Sequence, residues 1–280
     1  MTNVFLNGKF LPVADASVCV MDRGFLFGDG VYEVIPVYNN KIFFFDKHFK
    51  RLKNSLKGVD IKNPYNKEQI SNIIKKLLHN NKKQTVAIYL QITRGADKTR
   101  SHVYSKNMNP TIFINIFDFK NQSLDKIDPI DVITTDDNRG KICNLKTINL
   151  LANIMQKQQA HNLQTDEAIF IRRGFAQEGG ASNLFLIKNN VIYTPPLSST
   201  ILPGITREII IDITLKNNIK IIEKNIRFNE LFLADELWLT SSTKEIRYVG
   251  LINKRSIGNI KDHKKPMMWY KVMNLFNALK

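Results

Sequence analysis

Short apolar runs punctuated by Asn and Gly dominate the start of the chain, and their spacing predicts strands closed by tight turns. Val4-Phe5-Leu6 and Phe10-Leu11 flank Asn7-Gly8, a dipeptide that favours a two-residue hairpin loop because both positions tolerate positive φ. Asn39-Asn40 predicts a second hairpin with arms over 32–37 and 41–45, after which Asp46 caps a helix carrying Phe49, Leu52 and Leu56 on one face. Ile70, Ile73, Ile74, Leu77 and Leu78 recur at helical spacing and predict another buried stripe. Two runs rich in β-branched and aromatic residues, 86–93 and 111–117, predict further strands.

From Asp118 to Asp128 the apolar pattern gives way to Lys, Asn, Gln, Ser and Asp, which marks a boundary. The expectation is a smaller N-terminal α+β domain over 1–118, a linker over 119–127 and a larger, barrel-like α/β domain over 128–280. In the second part the pattern predicts a strand at 131–135, then a helix through Ile148, Leu151, Ala152 and Met155 with Lys146 at its start. Strands follow at 168–172 and 184–188, with Arg173-Gly174 turning between them, and Asn189-Asn190 turns into Val191-Ile192-Tyr193. A helix over 206–215, strands at 220–223 and 236–240, and a terminal helix with Trp269, Val272 and Phe276 complete the reading. The chain has no internal repeat.

The 280 residues are 43% hydrophobic, enough for a substantial core. No run approaches the roughly 18 apolar residues of a membrane span, and the first residues lack a secretory signal, so a cytoplasmic protein is expected. Cys19 and Cys143 make no disulfide framework. A formal charge of +16 invites a nucleic-acid reading, but the lysines are interleaved with acids and asparagines throughout, and no nucleic-acid-binding signature is present. His48, His79, His102, His161 and His263 form no metal-ligand spacing with cysteines or carboxylates, so no metal is expected.

The candidate chemistry lies in the second half. Lys146 is followed 32 residues later by Glu178-Gly179-Gly180-Ala181-Ser182-Asn183, and Leu202-Pro203-Gly204-Ile205-Thr206-Arg207 opens an apolar helix whose first N–H groups can hold a phosphate. Thr240-Ser241-Ser242-Thr243 adds hydroxyl donors. An amine, a buried acid and a phosphate cradle together point to pyridoxal phosphate, which needs an amine for its aldehyde, an acid for its ring nitrogen and an anchor. Glu178 is the candidate ring partner, and Gly179-Gly180 would let a flat ring approach the backbone. Arg51 is a candidate for the phosphate. Taken singly, Lys146 reads sooner as a surface lysine and Arg51 as a helix-face arginine, and Glu178 equally as an exposed turn residue; it is their combination that points to the cofactor. Arg100 and His102, two apart in an extended loop, can point the same way and grip a carboxylate.

The segments Asp22-Arg23-Gly24-Phe25-Leu26-Phe27-Gly28-Asp29-Gly30-Val31-Tyr32-Glu33, 48–52, Lys146, 178–183 and 202–207 occur in an order and spacing that resembles the fold-type IV pyridoxal-phosphate aminotransferases. The resemblance spans about residues 4 to 250. Tyr32, the run 146–151 and the Arg100–His102 pair are most similar to the branch acting on D-amino acids. It implies that Lys146 bears pyridoxal 5'-phosphate, that Glu178 holds its ring nitrogen, and that Arg51, Ile205, Thr206, Ser241 and Ser242 bind its phosphate. Tyr32, Arg100 and His102 would receive the substrate carboxylate, the last two from the partner subunit of a homodimer. The loop 94–102 is one residue longer than the family pattern, which makes Arg94 a possible substitute, and Arg247-Tyr248-Val249 stands where a proline is usual. The implied activity is transfer of an amino group from a D-amino acid such as D-alanine to a 2-oxo acid such as 2-oxoglutarate. A branched-chain L-amino acid aminotransferase and an aminodeoxychorismate lyase share the motifs, and a non-enzymatic basic binding protein is the alternative of another class.

Overall fold

The computed structural model describes residues 3–79, 81, 83–119, 121, 123–258 and 266–280; His263 lies outside them. Two compact units emerge, one comprising Met1–Asn121 with Leu145–Asn149, the other Gln122–Asn144 with Leu150–Lys280. The short piece around Lys146, read from the sequence as part of the second unit, therefore packs with the first.

The first unit is an antiparallel sheet with two helices on one face. Its elements are β1 (Asn3–Leu6), β2 (Lys9–Pro12), α1 (Arg23–Phe27), β3 (Gly30–Tyr38), β4 (Lys41–Ile42), α2 (Phe45–Gly58), α3 (Lys67–His79), β5 (Val86–Thr93) and β6 (Thr111–Phe117). The strand order is β2-β1-β6-β5-β3-β4. Both hairpins form as expected, with Asn7, Gly8, Asn39 and Asn40 all at positive φ. Strands β5 and β6 have the expected bounds. Alternation places Val31, Ile35, Ile88, Leu90, Ile92, Ile112 and Ile114 in the core against Leu52, Leu56, Ile70, Ile74 and Leu77. Burying each such side chain stabilises the unit by about 1.5–3 kcal/mol.

One expectation fails at the start of α2. Helix formation begins at Phe45, so the second arm of the hairpin is cut to two residues, and the cap position is Phe44 in a left-handed conformation. Asp46 lies inside the first turn, where its charge suits the positive helix end, and it pairs with Lys67 at 2.7 Å. Reciprocal bonds between Asn66 and Gln69 cap α3.

The second unit is a barrel. It contains β7 (Ile130–Asp136), α4 (Leu151–Asn162), β8 (Glu167–Arg172), β9 (Phe175–Gly179), β10 (Ser182–Lys188), β11 (Val191–Thr194), α5 (Ile205–Lys216), β12 (Ile221–Glu223), β13 (Ile226–Arg227), β14 (Glu236–Ser241), β15 (Glu245–Ile252), β16 (Arg255–Ser256) and α6 (Met267–Asn277). Strands β10-β14-β15-β7-β8-β9 follow one another, and β9 also pairs with β10, which closes the ring. The two-domain α/β (α+β) fold class implied by the sequence is thus present.

Sequence periodicity missed β9 and β15. The turn at Arg173-Gly174 leads into β9 rather than directly to β10, because Phe-Ala-Gln-Glu-Gly has too little apolar character to read as a strand. Strand β15 is interrupted by Arg247 yet almost wholly buried. The helix expected through Ile148 instead begins at Leu151. Residues 146–148 are extended, since the Tyr32 N–H donates to the Lys146 carbonyl and the Ile148 N–H to the Gly30 carbonyl, so the piece borders β3.

Candidate active site

Strand β3 organises the chemistry of the first unit because neighbouring side chains point to opposite faces. Tyr32 faces away from the helices beside Tyr89, their ring centroids 5.8 Å apart. The Lys146 Nζ lies 4.1 Å from the centre of the Tyr32 ring. Ser55 of α2 fixes the lysine backbone by accepting its N–H at 3.0 Å. Lys146 is thereby held at two backbone atoms, with its side chain half-buried over an aromatic surface.

On the opposite face, Glu33 is fully buried in the middle of an apolar strand. A charge there is tolerable only if paired. Arg51 donates to both of its oxygens at 2.8 Å, and the His48 Nδ1 lies 2.8 Å from Oε2. Burial pushes Glu33 up, but the charge and hydrogen bonds of Arg51, with the bond from His48, outweigh it and hold the carboxyl at about 2. For His48 burial prevails, reinforced by the charges of Arg51 and Lys146, and its pKa falls below the ordinary value despite Glu33. A neutral imidazole meeting a carboxylate must carry its proton on Nδ1. The structure thus orients Arg51 from beneath through Glu33, in addition to any ligand it holds.

In the second unit, β9 and β10 converge on Glu178, which is buried. Its Oε1 accepts from Arg139, and its Oε2 accepts from the Asn183 amide and the Leu202 N–H, both at 3.0 Å. Arg139 is itself gripped by Asp137, which also receives Arg172. Burial pushes Glu178 up to about 7, only partly offset by Arg139 and the Leu202 N–H. Such a carboxylate has an enhanced affinity for a proton shared with a neighbouring base.

Asn183 joins this acid to the start of α5. It donates to the Leu202 carbonyl as well as to Glu178, and its Oδ1 lies where a side chain on Gly204 would begin: a Cβ there would stand 1.8 Å from it. Gly204 supplies no side-chain cap, so the first N–H groups of α5, at the buried Ile205 and Thr206, point out of the helix with no intrahelical acceptor. Ser241 ends β14 and Ser242 begins the following turn, both half-buried. Beside them Thr240 Oγ1, and across from β9 Ser182 Oγ, are buried without a hydrogen-bond partner among the described residues. On the side where a Cβ would project, the space beside Gly179 and Gly180 is taken by Ser182 Oγ and by the Glu167 carboxylate, so a side chain at either position would collide with them.

Arg100 and His102 lie on the exposed loop after β5. The Arg100 guanidinium stands 5.1 Å from the Phe27 ring centre, and the His102 ring lies 5.4 Å from the same ring. Both residues therefore gather on Phe27 at the end of α1. Arg94 does not share that position. It is buried, paired with both oxygens of Asp29 and bonded to the Val59 and Asp60 carbonyls, so four of its five N–H donors are engaged within the unit.

Arg139, Asp137 and Asn183 carry weight that sequence reasoning did not assign. Asp137-Asn138-Arg139 reads as an ordinary polar loop; only its position at the end of a barrel strand hints at more. The Amino-transferase class IV family pattern matches residues 30–252. D-alanine aminotransferase of Bacillus licheniformis is 36% identical over 256 residues, 91% of this chain and 90% of that protein. Branched-chain amino acid aminotransferase of Escherichia coli superposes with a TM-score of 0.90 at 23% identity, covering 99% of this chain and 94% of that one. A putative 4-amino-4-deoxychorismate lyase from Legionella pneumophila gives 0.85 at 26% identity, covering 96% and 97%. By the extent of these likenesses, the chain belongs to the class IV aminotransferase family.

Proposed function

We propose that this enzyme moves the amino group of a D-amino acid such as D-alanine onto a 2-oxo acid such as 2-oxoglutarate, giving pyruvate and D-glutamate, with pyridoxal 5'-phosphate as cofactor. The observation that carries the reading is the likeness, over nine-tenths of the chain, to a protein that is a D-alanine aminotransferase. The residues fit the cofactor: a buried acid with raised proton affinity, an uncapped helix start beside a glycine that admits no side chain, and buried hydroxyls at Ser182 and Thr240 that lack partners among the described residues.

When bound, the cofactor supplies an aldehyde that captures the amino group and a protonated ring that takes up the electron pair left by the α-proton. Glu178 would hold the proton on the ring nitrogen, its own charge kept in place by Arg139 and Asn183. Ile205 and Thr206 N–H groups, Ser241, Ser242 and Arg51 would bind the phosphate. Lys146 Nζ would take the α-proton and return it to the cofactor carbon C4'. Tyr32, Arg100 and His102 would fix the substrate carboxylate, so that one enantiomer alone presents its α-hydrogen to Lys146. The enzyme would act in the cytoplasm as a homodimer; exposed Leu151, Ile154 and Met155 on one side of α4 give a second copy an apolar surface to cover.

The test is colour followed by substrate choice. Purified protein with added cofactor should show a visible band that borohydride abolishes and that Lys146→Ala never develops. A donor panel of D-alanine, L-leucine, aminodeoxychorismate and simple amines should then favour D-alanine. Turnover of L-leucine without D-alanine would overturn the assignment, as would a colourless protein that binds nucleic acid in a salt-sensitive way.

A further inference from the structure

Arg23 opens α1 yet turns its side chain inward, where only 5% of it is exposed. A buried guanidinium must spend its donors. Its Nε donates to Asp29 at 2.9 Å, one terminal nitrogen to the Ser101 carbonyl, and the other to the His102 carbonyl at 3.0 Å. Its planar fork thus spans two consecutive carbonyls of the loop that carries Arg100 and His102. The guanidinium also lies 4.8 Å from the Phe27 ring centre, the ring on which Arg100 and His102 both rest.

The surroundings lock Arg23 in turn. Asp29 is pinned by Arg94 from the far side, and α1 sits so close to β5 that a Cβ on Gly24 would stand 2.3 Å from the Thr93 methyl. Asp22 caps α1 at the Gly24 N–H and accepts from the Thr93 and Thr111 hydroxyls. The base of the loop is closed by Asp97, which accepts from the Ser105 N–H and hydroxyl. Beyond them Tyr104 donates to Asp60 at 2.9 Å, and its ring centre lies 3.8 Å beneath the Arg94 guanidinium. The Arg23 fork holds the backbone at 101–102 itself, and so sets where residues 100–102 lie.

We propose that Arg23 is a positioning residue for substrate selection: by holding the 101 and 102 carbonyls it keeps the Arg100 and His102 side chains together as one carboxylate grip. The inference rests on the reading of those two residues as that grip. Lysine in place of Arg23 preserves charge beside Asp29 but offers a single nitrogen, which cannot span both carbonyls.

The experiment compares Arg23→Lys, Arg100→Ala and the double variant as holoenzymes, with D-alanine and with an (R)-amine lacking a carboxylate. Arg23→Lys should raise KM for D-alanine about tenfold or more while changing amine turnover less than about twofold, and the double variant should lose clearly less than the two single losses combined, since only His102 is left to be misplaced. Hydrogen exchange of the 97–105 amides should quicken in Arg23→Lys. If Arg100→Ala raises KM for D-alanine and Arg23→Lys does not, or if the two losses simply add, the positioning role is wrong and the grip stands. If Arg100→Ala leaves D-alanine untouched, the grip is wrong and the positioning role falls with it. Should Arg23→Lys fail to yield folded protein, Arg23→Gln, which retains one amide donor, is measured in the same way.

Discussion

Individual buried charges give the clearest dependence on conditions. In the folded chain His48 is pushed below its ordinary 6.5, chiefly by burial, so under acid conditions the unfolded chain binds a proton that the folded one refuses. Stability therefore falls as pH drops below about 6.5. Glu33, held at about 2 against an ordinary 4.5, adds stability that is complete above pH 4.5 and disappears as pH falls toward 2. Glu178 has the opposite sign: raised to about 7, it binds its proton more tightly when folded and favours the folded state as pH falls from 7 to 4.5. The difference between wild type and His48→Gln isolates the first of these. Between pH 7 and 5 the melting temperature of His48→Gln should decline less than that of wild type; parallel profiles would mean that His48 titrates normally. At this scale Lys146 and Glu178 stood out as candidates because each stands in a distinctive run. Arg139 was not, because what gives it meaning is a carboxylate 39 positions away in the chain.

Among the elements, α5 shows how a missing side chain can join two functions. Asn183 occupies the place a Gly204 methyl would need, and its amide is already tied to Glu178 and Leu202. Gly204→Ala should cost about 1–3 kcal/mol through overpacking and weaken cofactor binding in a spectrophotometric titration. Adding Asn183→Ala should restore part of the stability but not the affinity. Recovery of both would show that Asn183 is mere packing. The element map itself was readable wherever turns are chemically marked, as at Asn7-Gly8, Asn39-Asn40 and Asn189-Asn190. It failed where tertiary pairing overrode local pattern: the apolar residues after Lys146 suit a helix, but backbone bonds to Gly30 and Tyr32 hold them extended as far as Ile148.

For the whole molecule, the outward apolar side of α4 is one feature, among the described residues, that folding of one chain leaves uncovered. Leu151, Ile154 and Met155 are 67%, 61% and 60% exposed at helical spacing. Light scattering should report a dimer for the wild type and a monomer for Leu151→Glu combined with Ile154→Glu; an unchanged mass would move the interface elsewhere. The sequence led to the expectation of two units, the second barrel-like, but not to the strand that closes the ring, since closure depends on β9, whose composition hides it.

The lysine strip has a further consequence, for biosynthesis. Residues 145–149 border β3 at Gly30–Tyr32, although they emerge from the ribosome well after the other strands of that sheet. Until they arrive, the nascent sheet carries an open edge beside Gly30 and Tyr32, a template for pairing with a neighbouring chain. A fragment cut at residue 121 would keep that vulnerability permanently, so the first unit is complete only once the chain has returned to it.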